Sequence, residues 1–223
     1  RQRQMCIRDS TPTVAGALAY QRGPDFIFHV VNRLDKGTTG LMAVAKSGYI
    51  HDRLRRTLHT DGFYREYRAV CVGCPKPPAG TIDAPIGRDE TSAVRRMVRS
   101  DGQRAVSHYD VLSQRDGLSF VKLRPETGRT HQIRVHMKHI GHPLFNDARY
   151  GGDKVLRGNT SSHYAQFIHH CFEVCPRQAL HAKTLGFVHP VTKQQMDFDS
   201  EIPADMTELI QRWRNYAESL AIK

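Results

Sequence analysis

Apolar and polar positions along this chain follow the period of strands in most places and the period of helices in three. Two apolar runs, FIFHVV (26–31) and GLMAVA (40–45), predict buried strands on either side of a polar loop, NRLDKGTT. Ile50, Leu54 and Leu58 then recur at helical spacing, with Arg53, Arg55 and Arg56 on the other faces. FYREYRAVCVG (63–73) is rich in aromatic and β-branched residues and predicts a strand. PKPPAG breaks the pattern as a loop. AVSHYDVLSQRDGLSFVKLRPE (105–126) predicts a hairpin that turns at RDG. In TGRTHQIRVHMKHIG (127–141), Ile133, Met137 and Ile140 mark an amphipathic helix ended by Gly141.

GHPLFNDARYGG (141–152) has the Gly, Pro, Asn and Asp of a loop. ALHAKTLGFVHP and QQMDFDSEIP predict a second hairpin. A last helix carries the stripe Met206, Leu209, Ile210, Trp213, Ala217 and Leu220, with Asp205 and Glu208 spaced as a capping box. Strand pattern dominates, so the expected fold class is α+β: a mostly antiparallel mixed sheet with flanking helices.

A chain of 223 residues is expected to be one domain, or a domain with an arm. No run reaches the about 20 apolar residues of a membrane span, and no apolar stretch follows the arginines of RQRQMCIRDS. That opening resembles a translated adaptor, so residues 1–10 are expected to be a non-native leader and 11–223 the folded domain. Charge adds a partner. Lys plus Arg total 33 against 22 acidic residues, a net +11, which suits a polyanion and most commonly a nucleic acid. The five cysteines include Cys71 with Cys74 and Cys171 with Cys175, near His169 and His170. The first pair ends a strand rather than sitting in a Gly-rich knuckle, so reduced thiols of a cytoplasmic protein are expected and no metal.

Asp35 is the sharpest chemical candidate. It lies between Arg33 and Lys36, and flanking cations favour the charged form of a carboxylate. An ionised carboxylate is a nucleophile that needs no activating base. A turn aspartate with solvated neighbours is the plainer alternative. On the predicted helix, Arg134 and Lys138 share a face, while Arg129 and His131 stand at its start, where free amides favour anions. Such a helix could hold a carboxylate or a phosphate. No carboxylate interleaves His131, His136, His139 and His142 in a metal-binding pattern. Tyr67 sits in a strand and is either core or a stacking surface for a base.

R-L-D followed by x-x-T-x-G and an apolar run resembles the signature loop of the RluA-type pseudouridine synthases. EYRAV (66–70), PIGR (85–88), GRTHQIRVHM (128–137), GHPLFNDARYGG and LHAKTLGFVHP (180–190) follow in the family's order. The resemblance implies the pseudouridine synthase catalytic fold and conversion of uridine in structured ribosomal or transfer RNA to pseudouridine. It implies no cofactor; the composition and cysteines add the expectation of a cytoplasmic protein with no membrane partner, and a monomer is expected. The resemblance assigns catalysis to Asp35, Tyr67 and Arg134, with Arg134 pairing Asp35 and Arg129 next in line for that role. RNA contacts fall to Arg33, Arg129, Lys138, Arg53, Arg56, Arg95 and Arg96.

The chain departs from the family at Asn32, where His is usual, at Thr39, where Ser is usual, and at Phe145 and Asn146, where residues tend to be smaller. The family domain normally opens with a strand and a lysine–proline turn not found ahead of this loop. A truncated domain lacking an N-terminal strand is therefore expected. The alternatives are an RNA-binding module of the same fold without turnover, and other pyrimidine chemistry on that fold.

Overall fold

The computed structural model describes residues 14–23, 26–60, 62–92, 94–115, 117–154 and 162–221. The expected leader, and Cys6 within it, lie outside the described residues. In chain order the elements are α1 (Val14–Arg22), β1 (His29–Val30), β2 (Thr39–Gly40), β3 (Val44–Ala45), α2 (Gly48–Thr57), β4 (Phe63–Val72), β5 (Ala79–Asp83), β6 (Ile86–Arg88), β7 (Arg96–Val98) and β8 (Val106–Arg115). They continue with β9 (Leu118–Pro125), α3 (Gln132–His139), α4 (Ser162–Val174), β10 (Leu180–Val188), β11 (Gln195–Asp199) and α5 (Ala204–Ala221).

The central sheet runs β11-β10-β4-β9-β8-β5, with β2 added beside β10. Every pairing in it is antiparallel except β2 with β10. Both predicted hairpins form, β8–β9 and β10–β11. The alternation in β4 sorts the core. Tyr67, Ala69 and Cys71 face one way, onto Ile133 and Met137 of α3. Val70 faces the other way, onto Ile168 and Cys171 of α4 and Met206, Leu209 and Trp213 of α5. The described cysteines are free thiols, and Cys71 and Cys171 fall on opposite sides of the sheet.

Several local expectations change. FIFHVV and GLMAVA form the two-residue strands β1 and β3, paired with each other away from the central sheet, and only Gly40 at the start of the second run joins that sheet, as the end of β2. Asn32 extends that pairing with a side chain, since its Oδ1 accepts from Ala43 N at 2.8 Å. Helix α1 is not announced by the hydrophobic pattern, and none of its residues is buried. Helix α3 is not amphipathic as expected: every residue from Gln132 to Met137 is buried, because a loop and the β6–β7 hairpin cover the face that faces solvent in an ordinary surface helix. Asp205 does not form a capping box with Glu208. It lies in the first turn of α5 and takes Arg177 through two hydrogen bonds of 2.7 and 2.8 Å.

That Arg177 pair reaches the signature loop, since Nη1 of Arg177 donates to Gly37 O at 3.1 Å. Gln178 Nε2 donates to Lys36 O at 2.7 Å, and Thr39 Oγ1 is 2.9 Å from His181 Nδ1. Gly40 lets β2 approach β10. Its φ is +107°, and a Cβ there would lie 2.2 Å from Ala182 O. The loop is thus fixed to β10 and α5 rather than only to its own neighbours.

Candidate active site

Between the signature loop, α2, β4 and the turn into α3 lies an open cleft of about 670 Å³. Asp35, Arg33 and Thr38 form one wall, His51, Arg55 and His59 another. Tyr67, Arg65, Arg129 and His131 line it further. Within the loop a turn closes by Thr38 N donating to Asp35 O at 2.9 Å. The carboxylate of Asp35 is about one quarter exposed, open to the cleft.

Behind Asp35 lies Arg134, whose side chain is 7% exposed. Its Nη1 is 3.5 Å from Asp35 Oδ2. Its Nε and Nη2 donate to Asp147 at 2.7 and 2.8 Å. Asp147 is 1% exposed. The guanidinium also lies over the ring of Tyr150, 5.0 Å from its centroid. Burial works against the charge on Arg134, but the hydrogen bonds and charge of Asp147, with Asp35 and Tyr150, hold its pKa above the ordinary guanidinium value. The expected pairing of Arg134 with Asp35 therefore exists, in altered form: the planar fork grips Asp147, and a single nitrogen faces Asp35.

Tyr67 pairs across the sheet with Leu123 and Ala182 and is 7% exposed. Burial raises its pKa, Arg65 lowers it less, and Asp35 adds to the rise. Its hydroxyl keeps its proton well past neutrality. His131 holds a left-handed backbone, φ +58°, at the start of α3. Burial lowers its pKa most. Asp35 and Asp147 oppose that, and Arg134 and Arg149 reinforce it. Gln132 anchors this turn: its Oε1 accepts from Thr127 Oγ1 at 2.6 Å and Arg129 N at 3.0 Å, and its Nε2 donates to Val106 O at 2.8 Å.

Asp35, Tyr67, Arg33 and Arg129 thus meet at one cleft, with Arg134 directly behind. Arg129 is turned to Arg104 O, to which its Nε donates at 2.9 Å, so the place beside Asp35 is held by Arg134. The other expected contacts lie elsewhere. Lys138 is exposed on the far end of α3 and does not line the cleft, and its charge acts on Asp89 instead. Arg53 lies over the Tyr49 ring and Arg56 pairs with Asp52 at 2.8 Å; of the α2 arginines, only Arg55 lines the cleft. Arg95 and Arg96 belong to the β6–β7 hairpin, away from the cleft walls. Helical periodicity put these cations on faces but gave no direction to a cleft. Asp147 and Tyr150 lie in GHPLFNDARYGG and Arg65 in FYREYRAVCVG, segments legible as a family loop and a strand, but nothing in the sequence marked these three residues themselves as part of a site.

The arrangement can hold a flat base against Tyr67 beside a fixed carboxylate, with cations for phosphate around the rim. A family model described as RNA pseudouridylate synthase matches residues 13–139. A Bacillus subtilis protein named as an uncharacterized RNA pseudouridine synthase, YjbO, is 42% identical over 182 residues, 82% of this chain and 58% of that protein. The ribosomal large subunit pseudouridine synthase D of Vibrio vulnificus is 42% identical over 189 residues, 85% of this chain and 57% of that protein. The chain thus spans under three fifths of the length of either relative. Among solved structures, human RNA pseudouridylate synthase domain containing 4 superposes with a TM-score of 0.69 at 25% identity, covering 90% of this chain and 81% of that one.

Proposed function

Since the chain belongs to the RNA pseudouridylate synthase family, we propose that it isomerises uridines in structured RNA to pseudouridine with Asp35 as the catalytic carboxylate. The observation that carries this reading is Asp35 open to a cation-rimmed cleft with the buried Arg134 at 3.5 Å behind it. The N-glycosidic bond of a flipped uridine breaks and the uracil turns. Its ring carbon 5 then bonds to the sugar, a proton leaves that carbon, and the old glycosidic nitrogen gains one. Atoms and electrons balance within one nucleotide, so no cofactor enters. Tyr67 stacks on the base and Arg33 and Arg129 face its phosphates. On this reading the protein works in the cytoplasm, as a monomer, on ribosomal or transfer RNA.

The test is a uridine-containing RNA scored for pseudouridine. Asp35→Asn should slow product formation at least about 1,000-fold, as removal of a covalent catalyst does, and leave RNA affinity within a few-fold. An Asp35→Asn protein that turned over within tenfold of the parent would overturn the assignment. RNA binding by the parent with no pseudouridine formed would favour a binding module without turnover.

A further inference from the structure

Arg65 brings a charge into the cleft that nothing on the chain neutralises. It lies two positions before Tyr67 on β4, so strand alternation gives both side chains one face, and both line the cleft. A guanidinium has five N–H donors. Among the described residues the Arg65 side chain makes one hydrogen bond, from Nη2 to Thr127 O at 3.4 Å. Its Nε is buried without a partner. The neighbouring acids are engaged elsewhere: Glu66 with Arg68 at 2.6 Å, Glu126 with His108 at 2.7 Å and Asp35 with Arg134 at 3.5 Å.

Gly128, also in the cleft wall, stands against this guanidinium. Its backbone is outside the left-handed region that favours glycine. A Cβ at 128 would lie 3.4 Å from His59 Cε1 and 3.5 and 3.9 Å from Nη1 and Nη2 of Arg65, which is ordinary contact. Neither backbone nor packing therefore requires glycine here. What glycine provides is room, an opening one methyl wide between an imidazole edge and a guanidinium, of the kind that lets a ligand approach backbone closely. The far side of that opening is fixed, because His59 Nδ1 donates to Glu126 O at 3.2 Å.

Resting on the pseudouridine synthase reading above, we propose that Arg65 and Gly128 form a seat for one backbone phosphate of the RNA strand, walled by His59. The phosphate oxygen takes the place that a side chain at 128 would fill and accepts from Nη1 of Arg65. A phosphate is the fitting ligand because it supplies both the missing negative charge and an oxygen narrow enough for the opening.

The test uses Arg65→Gln, Gly128→Ala and the double variant in the full chain, with RNA affinity measured over a range of salt. Arg65→Gln should weaken binding roughly tenfold, the size of one charge-assisted hydrogen bond. It should also flatten the salt slope by about 0.7, the share of one single-strand phosphate. Gly128→Ala should unfold with the parent, since its methyl meets only ordinary contacts, yet weaken binding by a similar factor and flatten the slope alike. The double variant should bind no more weakly than the weaker single variant, because both changes remove the same contact. RNAs with one uncharged methylphosphonate linkage, moved along the strand, then identify the phosphate: at one linkage the parent should bind only as well as Arg65→Gln, and that variant should lose nothing further. Parent-like affinity and slope for either single variant overturns the proposal. So does Arg65→Gln that slows turnover at unchanged affinity, which would confine Arg65 to its effect on Tyr67. A methylphosphonate scan in which parent and Arg65→Gln lose equal factors at every linkage overturns it as well. A parent chain that binds RNA but forms no pseudouridine would bring down the underlying reading alone, because the seat is judged on binding.

Discussion

Arg134 gives two of its three nitrogens to Asp147, at 2.7 and 2.8 Å, and this grip aims the third at Asp35. Arginine suits the task because its planar fork meets a carboxylate at two points and still has a free edge. Removing one partner of a buried pair leaves an uncompensated charge, which costs about 3–5 kcal/mol. Asp147→Asn keeps the shape and should lose stability at the lower end of that range, read from urea unfolding. Turnover should fall with it at temperatures where the variant is folded, while RNA affinity holds. A stability change under about 1 kcal/mol would mean that Asp35 alone satisfies Arg134.

Tyr67 offers a ring and a hydroxyl that can be separated. Stacking on a base is worth about 1–3 kcal/mol and does not need the hydroxyl. Tyr67→Phe should bind RNA nearly as the parent does. Its rate should drop well below the parent's, because the protonated phenol beside Asp35 is lost from the cleft. Equal rates for the two proteins in single-turnover assays would confine Tyr67 to stacking.

The cleft arginines and the outlying cations predict different salt behaviour. Each single-strand phosphate neutralised contributes a slope of about −0.7 in log affinity against log salt. Arg55→Ala and Arg129→Ala, both in the cleft wall, should each flatten the slope by about that amount. Lys138→Ala should leave it unchanged, because Lys138 is exposed and does not line the cleft. A Lys138→Ala slope that changed as much as Arg129→Ala would extend the RNA path over the end of α3.

Three histidines make stability depend on pH. His136, fully buried, donates from Nε2 to Ala84 O at 3.0 Å, and its Nδ1 is 3.0 Å from Ser107 Oγ. Burial above all lowers its pKa, as it does for His181 and His131. Each depressed value means that the unfolded chain takes up a proton before the folded chain does. Stability is therefore full above the ordinary value of 6.5 and falls as pH drops through the lowered folded values. Each histidine contributes at most about 1.4 kcal/mol per pH unit. The urea midpoint should fall between about pH 7.5 and 5.5, and His136→Gln should reduce that fall. A flat midpoint over this range would show that these rings charge freely in the folded state.

The sequence by itself determined the elements that have a period. The strand at 63–72, the hairpins at 106–125 and 180–199 and the final helix were all legible, because alternation and helical spacing record which face of a segment is buried. The sequence also marked Asp35 and the helix that carries Arg134 by their residue order. The tertiary structure alone decided what those residues meet. Asp147 reaches Arg134 from a loop 13 positions on, and Arg177 ties α5 to the Asp35 loop across 140 positions. Lys138, one turn beyond Arg134, faces solvent while Arg134 is enclosed. Periodicity fixes how a side chain points relative to its own element. A partner on another element is fixed by how the elements pack, and a buried charge is stable only where that packing brings an opposite charge within hydrogen-bonding distance.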